Sequence, residues 1–483
     1  MKRLISPSIL LRLLIPLLII PLLGITPLPH EVISSLQSIR KALLVDSPLD
    51  ASANIPQMLE YFPDRADLWE LTAHYALLGG ETESALTYYQ RAATLNSLTT
   101  YGFIEFGDAA LLEGDFFAAV EAWESAASKG GSSIELYSRL LGAHILLNDY
   151  DGIVSDLHFL TELDPSNPYY FYELGIFIAS KQPDSAIAYL LRAPELDPIY
   201  SEDVQSIKRA IDSARIFDNP AYTLLETGRA LASINQWEHA ARAFEEATRI
   251  RPDYEEAWAF LGESKQHLKD GEDHQEFAKI GSMELERALE INPQSITANT
   301  LIALYWQRQN RYDLALVYLH NAENIEPDNP TLQAEIGRTL AIMSDLNKAQ
   351  LYYERATELD PNDPHYWRLM ADFSIQYKLK LRDIGLPAAR QAILLNPEDP
   401  ASLDVMGEVF ILLEDLSSAM RFLKKAILID PNYAPAHLHL GFAYLLQESG
   451  DLAWKHLWLA ATLAEPDSAT AEQAQRMIDT YFP

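Results

Sequence analysis

Residues 354–367 read ERATELDPNDPHYW. A helix-like run stops at Asp360 because Pro361 has no N–H to donate and pushes its predecessor out of helical geometry. The turn from Pro361 to Pro364 then aims the chain into another helix. Close variants of the phrase recur: LTELDPSNPYYF and LRAPELDPIY before it, and ALEINP, AENIEPDNP, AILLNPEDP and AILIDPNYAP elsewhere. A phrase that returns in this way punctuates a repeat.

The closing prolines are Pro165, Pro198, Pro252, Pro293, Pro327, Pro361, Pro397, Pro431 and Pro466, separated by 33, 54, 41, 34, 34, 36, 34 and 35 residues. A period near 34 predicts stacked helical hairpins. Twelve residues before these prolines stands a small residue, as at Ala186, Ala240, Ala315, Ala349 and Ala419. Another stands five residues before, as at Ala193, Ala247, Ala288, Ala322, Ala356, Ala392 and Ala426. Helices pressed together need small side chains where their backbones come closest.

These residues resemble the tetratricopeptide repeat family. Its pattern places a large residue at position 4, Gly or Ala at 8, Ala at 20, an aromatic at 24, Ala at 27 and Pro at 32. Trp69, Ala73, Ala85, Tyr89 and Ala92 match it, and Phe103, Gly107, Ala119, Trp123 and Ala126 repeat the match 34 residues on. Gly228, Gly262, Gly337, Gly407 and Gly441 open later units. The resemblance implies an all-α fold: a right-handed superhelical solenoid of about eleven repeats. Four repeats are expected over 67–198 and seven over 221–466. Residues 31–66 read as a degenerate opening pair, 199–220 as an extra helix or linker, and 467–483 as a cap helix. The third unit has Leu141 and Ile153 where small residues are expected, so it should pack less regularly.

Residues 1–30 contain Lys2, Arg3 and Arg12, no acid, and an uncharged apolar run from Leu13 to Ile25. They are expected to be an uncleaved membrane anchor, or alternatively a removed signal peptide, with the repeats exported. The rest of the chain carries 34 basic against 69 acidic side chains, a net charge of −35. Such a surface repels phosphate backbones and disfavours nucleic acid as a partner. The absence of cysteine excludes disulfides and thiolate metal sites.

No glycine-rich phosphate loop, zinc-protease motif or serine nucleophile turn occurs, and no catalytic site is expected. Asp270, Glu272, Asp273, His274 and Glu276 lack calcium-loop spacing and read as a solvated loop. His437 and His439 lie on different sides of a helix and read as ordinary packing or surface residues. Asp404 and Glu408 share a helix face that is expected to be hydrated. No cofactor or metal is expected.

The resemblance implies a protein-binding scaffold whose concave face, lined by the first helix of each pair, holds partner segments at positions 2, 5, 9 and 12. Carried over, these are Tyr101, Asp108, Tyr169, Tyr172, Tyr222, Arg229, Arg338, Arg368, Asp404 and Glu408. The tyrosines offer rigid area with a hydrogen-bonding tip. Neither the basic clamp that some members use for a C-terminal carboxylate nor an asparagine ladder is present. An accessory role in an envelope polysaccharide-assembly or secretion complex is the alternative reading.

Overall fold

The computed structural model describes residues 59–95, 98–268, 280–466 and 468–482, with residues 30, 33, 34, 37, 38 and 41. The apolar segment Leu13–Ile25, most of the opening pair and the acidic loop around Asp270 lie outside the described residues. Among the described residues the regular elements are helical, and no helix is long and apolar enough to cross a membrane. The chain forms two compact units, one ending at Asp218 and the other beginning at Asn219.

Among the described residues the first unit contains four antiparallel pairs. They are α1 (Ala66–Leu78) with α2 (Thr82–Thr94), α3 (Thr100–Leu112) with α4 (Phe116–Ser128), α5 (Ile134–Leu146) with α6 (Tyr150–Leu163), and α7 (Pro168–Ala179) with α8 (Pro183–Leu196). A single helix, α9 (Ser201–Ala214), follows.

Among the described residues the second unit contains seven pairs. They begin with α10 (Pro220–Ser233) and α11 (Trp237–Ile250), α12 (Glu255–His267) and α13 (Ser282–Ile291), and α14 (Ile296–Arg308) and α15 (Tyr312–Ile325). Next come α16 (Pro330–Ile342) with α17 (Leu346–Leu359) and α18 (Pro364–Gln376) with α19 (Leu386–Leu395). Last are α20 (Pro400–Leu412) with α21 (Leu416–Ile429) and α22 (Ala434–Leu446) with α23 (Gly450–Leu463), closed by α24 (Ala469–Tyr481). A π turn, Leu381–Gly385, leads into α19 and takes up the extra residues of that pair.

All pairs but the third close at a small-residue contact. Ala85, Ala119, Ala240, Ala315, Ala349 and Ala419 are wholly buried on their second helices. Opposite them, the first helix carries Gly or Ala. At Gly407 an added Cβ would lie 2.5 Å from Leu423 Cγ, so only hydrogen fits between these helices. The turn between the two helices uses one left-handed residue, Gly80 or Gly114 in the first pairs and Asn148, Asn310, Ser344, Glu414 or Glu448 later. The next amide then reaches back five residues, as Asp115 N does to Ala110 O at 2.9 Å, and satisfies a carbonyl at the helix end.

The opening stretch is held by its own polar groups. Asp363 caps α18 by accepting from His365 N at 2.8 Å, and Pro364 occupies the first turn, where its missing N–H costs nothing. Trp367 then donates its indole N–H back to Pro361 O at 3.0 Å. Trp69, Trp258, Asn299, Gln333 and His437 make the same six-residue return to Pro63, Pro252, Pro293, Pro327 and Pro431. The angle at which each of these six pairs starts is thereby fixed by a side chain of its own first helix.

In the third pair Ile153 fills the contact that alanine fills elsewhere, and His144 Nδ1 lies 2.6 Å from Asp156 Oδ2 within it. First helices of successive pairs lie against one another, α1 with α3, and α16, α18, α20 and α22 in series. Second helices approach each other less closely and stand on the outer side. The first helices from α16 to α22 therefore form a continuous inner face.

Replacing Gly407 with Ala should force α20 and α21 apart. A loss of about 1–3 kcal/mol in urea denaturation is expected, without loss of helical circular dichroism.

Candidate functional site

On the inner face of the second unit, Arg368 and Asp372 project from α18, Asp404 and Glu408 from α20, and His439 from α22. Arg368 Nη1 donates to Asp399 Oδ2 at 2.5 Å, tying α18 to the cap of α20. Asp404 is 4% exposed and lies with Oδ1 2.8 Å from His439 Nδ1, while His439 Nε2 is 3.7 Å from Glu408 Oε2. Burial alone would lower the His439 imidazole. The charge and hydrogen bond of Asp404, with Glu408 and Asp372 behind it, instead raise it to about 9.

Asp372 has no such partner. It is half-buried, makes no hydrogen bond or ion pair among the described residues, and is pushed up to about 7 by burial and by the nearby Glu408 and Asp404 carboxylates. Burial raises Glu408 as well, against the pull of His439. The face thus holds more acid than its own Arg368 and His439 neutralise. Among the described residues no group of three or more His, Asp and Glu side chains converges in an arrangement that could hold a metal ion.

In the first unit, Glu105 of α3 is 9% exposed and accepts from Tyr89 Oη at 2.7 Å, with His74 Nδ1 also at 2.7 Å. Burial and the Glu105 charge push the exposed Tyr101 phenol up to about 12. Asp108 accepts from Arg139 Nε at 2.9 Å across to α5. Further along, the half-buried Glu173 accepts no hydrogen bond among the described residues, and burial raises it.

The ten residues expected to line the inner face divide into two groups. Tyr101, Tyr169, Arg229 and Arg338 are exposed there, and Asp108, Tyr222, Arg368 and Glu408 are partly accessible. Arg338 also donates to Gln307 Oε1 at 2.6 Å, and the Arg229 guanidinium stands over the Phe260 ring at 5.5 Å. Tyr172 and Asp404 require correction as contact residues. Tyr172 is 5% exposed, packs its ring 4.5 Å from Tyr200 and donates to Asp203 Oδ2 at 2.8 Å, sealing α7 against the α9 region. Asp404 is buried beneath His439, so the face it shares with Glu408 is not the hydrated one expected. His439 is likewise a member of this cluster. His437, bonded to Pro431 O and His456, is a packing residue.

Sequence reasoning missed Glu105, Glu173, Asp372 and His439. A usable signal was present, because Glu105, Arg139 and Glu173 are charged residues spaced 34 apart, two positions before the first helix's small-residue position, which Gly107 and Gly175 fill and Leu141 replaces in the third unit. Glu226, Glu335 and His439 hold the same position.

Tetratricopeptide repeat models match residues 307–373 and 401–433, so the helix pairs there are repeats of that type. The chain is 24% identical over 258 residues to Protein CTR9 homolog of Arabidopsis thaliana, covering 52% of this chain and 23% of that protein. It is 25% identical over 181 residues to anaphase-promoting complex subunit 3 of Schizosaccharomyces pombe, covering 38% and 26%. The matches span about a quarter of the length of these relatives. Among solved structures, yeast Tom70 aligns over 79% of this chain and 95% of its own, at 16% identity and a TM-score of 0.34.

Because the Asp372 carboxyl titrates higher in the folded chain than in the unfolded one, its contribution is lost as pH rises from about 4 to about 7. The raised His439 adds a loss as pH climbs further, through about 9. Asp372→Asn should therefore match the parent near pH 4 and exceed it by roughly 2–4 kcal/mol at pH 8, measured by denaturant titration.

Tyr172→Phe should cost about 1 kcal/mol, and thermal melts read against a Tyr169→Phe control should show no such loss in the control.

Proposed function

We propose that the protein is a non-catalytic scaffold that holds partner polypeptides along the inner faces of its repeats, with basic segments preferred where α18 meets α20. The observation that carries this reading is Asp372, a half-buried carboxyl with no internal hydrogen bond, beside a Glu408 that is also held above its ordinary range. Two acids so placed are costly to ionise in the free protein and become favourable when a lysine or arginine from outside supplies the missing charge. Glu173, Tyr101 and Tyr169 extend the same chemistry to the first unit: rigid aromatic area beside unpaired acid, suited to a cationic or amphipathic segment.

The scaffold is exported and tethered by residues 1–30. The support for tethering is the order Lys2, Arg3, then an uncharged apolar run, which leaves the basic end in the cytoplasm. Tethering confines the binding faces to the membrane surface and raises their effective concentration for partners there.

Fluorescence anisotropy with labelled Lys/Arg-rich, Glu-rich and neutral peptides tests the preference on the full chain. The basic peptide should bind best, and Asp372→Asn with Glu408→Gln should weaken it by about 10- to 100-fold. Equal binding of all three peptides, or an unchanged affinity in the double variant, would reject the assignment.

A further inference from the structure

We propose that the outer face formed by α19, α21 and α23 seats on an anionic lipid surface. The inference rests on the makeup of this face alone and does not depend on the tether or on the inner-face reading. Corresponding positions of these three second helices, 34 residues apart, carry Arg390, Lys424 and Trp458, and another such series carries Leu394 and Leu428. Arg421 and Lys455 form a third pair at the same interval. Because the repeat turns equivalent positions the same way, these exposed residues recur at matching places on successive second helices, with Lys424 Nζ also 5.4 Å from the Tyr444 ring of α22.

The series is unusual in charge. Acidic side chains outnumber basic ones 69 to 37 in this chain, and most cations of the second unit lie against a carboxylate, as Arg249, Arg287, Arg311 and Arg355 do. Arg390, Arg421, Lys424 and Lys455 are exposed and make no ion pair among the described residues. Neither α19 nor α21 contains an Asp or Glu. The positive field reaches inward: burial, His437, Lys455 and Lys424 together push His456 down to about 4.

The face is also apolar in a particular way. Leu394 and Leu428 are 74% and 81% exposed, and Trp454 and Trp458 are 46% and 48% exposed with their rings 6.3 Å apart. Tryptophan settles at the headgroup level, leucine reaches the acyl boundary, and lysine and arginine lay apolar stems along it while their charges meet phosphate. An acidic amphipathic helix is the less suited occupant. It needs a continuous apolar seam, whereas the exposed large apolar groups of α21 are confined to its last two residues, Leu428 and Ile429. The acidity of other faces does not prevent the contact, because charges more than about 8 Å apart are largely screened at physiological salt.

The test uses the full chain with vesicles of acyl-brominated phosphatidylcholine, with and without phosphatidylglycerol, and reads tryptophan quenching. Sedimentation alone would not serve, since an inserted N-terminal segment would carry the protein down regardless. The emission lost in a Trp454→Phe/Trp458→Phe variant defines the signal from this face. That signal should be quenched on the phosphatidylglycerol vesicles only, and Arg421→Glu/Lys424→Glu/Lys455→Glu should lower its lipid partitioning about a hundredfold. Absence of quenching, equal quenching on neutral vesicles, or indifference to charge reversal would overturn the proposal. Capture of a Glu-rich amphipathic peptide by this face without quenching would overturn it too, in favour of an acidic protein partner. Should the charge-reversed variant fail to fold by circular dichroism, the comparison of the two vesicle types on the parent and the tryptophan variant still decides.

Discussion

The structure depends on backbone approach at one point in each hairpin. Where Gly407 meets Leu423, or Ala349 meets the helix carrying Gly337, side-chain volume has been removed from one strip of each helix. The flanking large residues, such as Trp123, Phe244 and Leu319, then close over that strip and are buried. The hydrophobic effect supplies the drive, but the small residues set the distance, and the distance sets which residues face a neighbour. Once second helices nest against the next first helix, the first helices are drawn into a common inner face. The geometry of binding is thus a consequence of packing, achieved with few residues reserved for recognition.

The proline phrase does the complementary work of fixing direction. Pro361 ends one helix, Asp363 caps the next, and Trp367 returns its indole to the Pro361 carbonyl. The donor at this place changes from Trp to Asn, Gln or His, yet each carries an N–H long enough to span six residues. This explains why the position tolerates such different side chains. The shared requirement is a donor, with apolar bulk a secondary matter.

Much of the fold was legible because period, proline and small residue all express backbone constraints that a single sequence prints directly. Ala85 and Ala119, or Gly407 and Gly441, announce helix contacts without any knowledge of the partner helix. The site was less legible. Tyr172 and Asp404 occupy positions that usually face a ligand, and their burial follows from neighbours that no spacing rule names: Tyr200 and Asp203 near α9 for the first, His439 of the next pair for the second. Asp372 escaped notice because it is one ordinary acid among 69 acidic residues. Its character comes from what surrounds it, two further carboxylates and a guanidinium already committed to Asp399. The His144–Asp156 pair was hidden in the same way, inside a hairpin whose bulky contact residues had signalled only irregularity.

Charge follows the same division between inner and outer faces. Unneutralised acid collects on the first helices of α18 and α20, and unpaired cations collect on the second helices α19, α21 and α23, so one short run of repeats presents opposite signs on its two sides. The central claim is that first helices do the binding. Site-specific photocrosslinking in native membranes tests it most directly, with a benzophenone side chain placed at Tyr169 or Arg338 on first helices and at Val317 or Leu351 on second helices. The account predicts partner proteins captured from Tyr169 and Arg338 but not from Val317 and Leu351. Capture confined to the second-helix positions would contradict it.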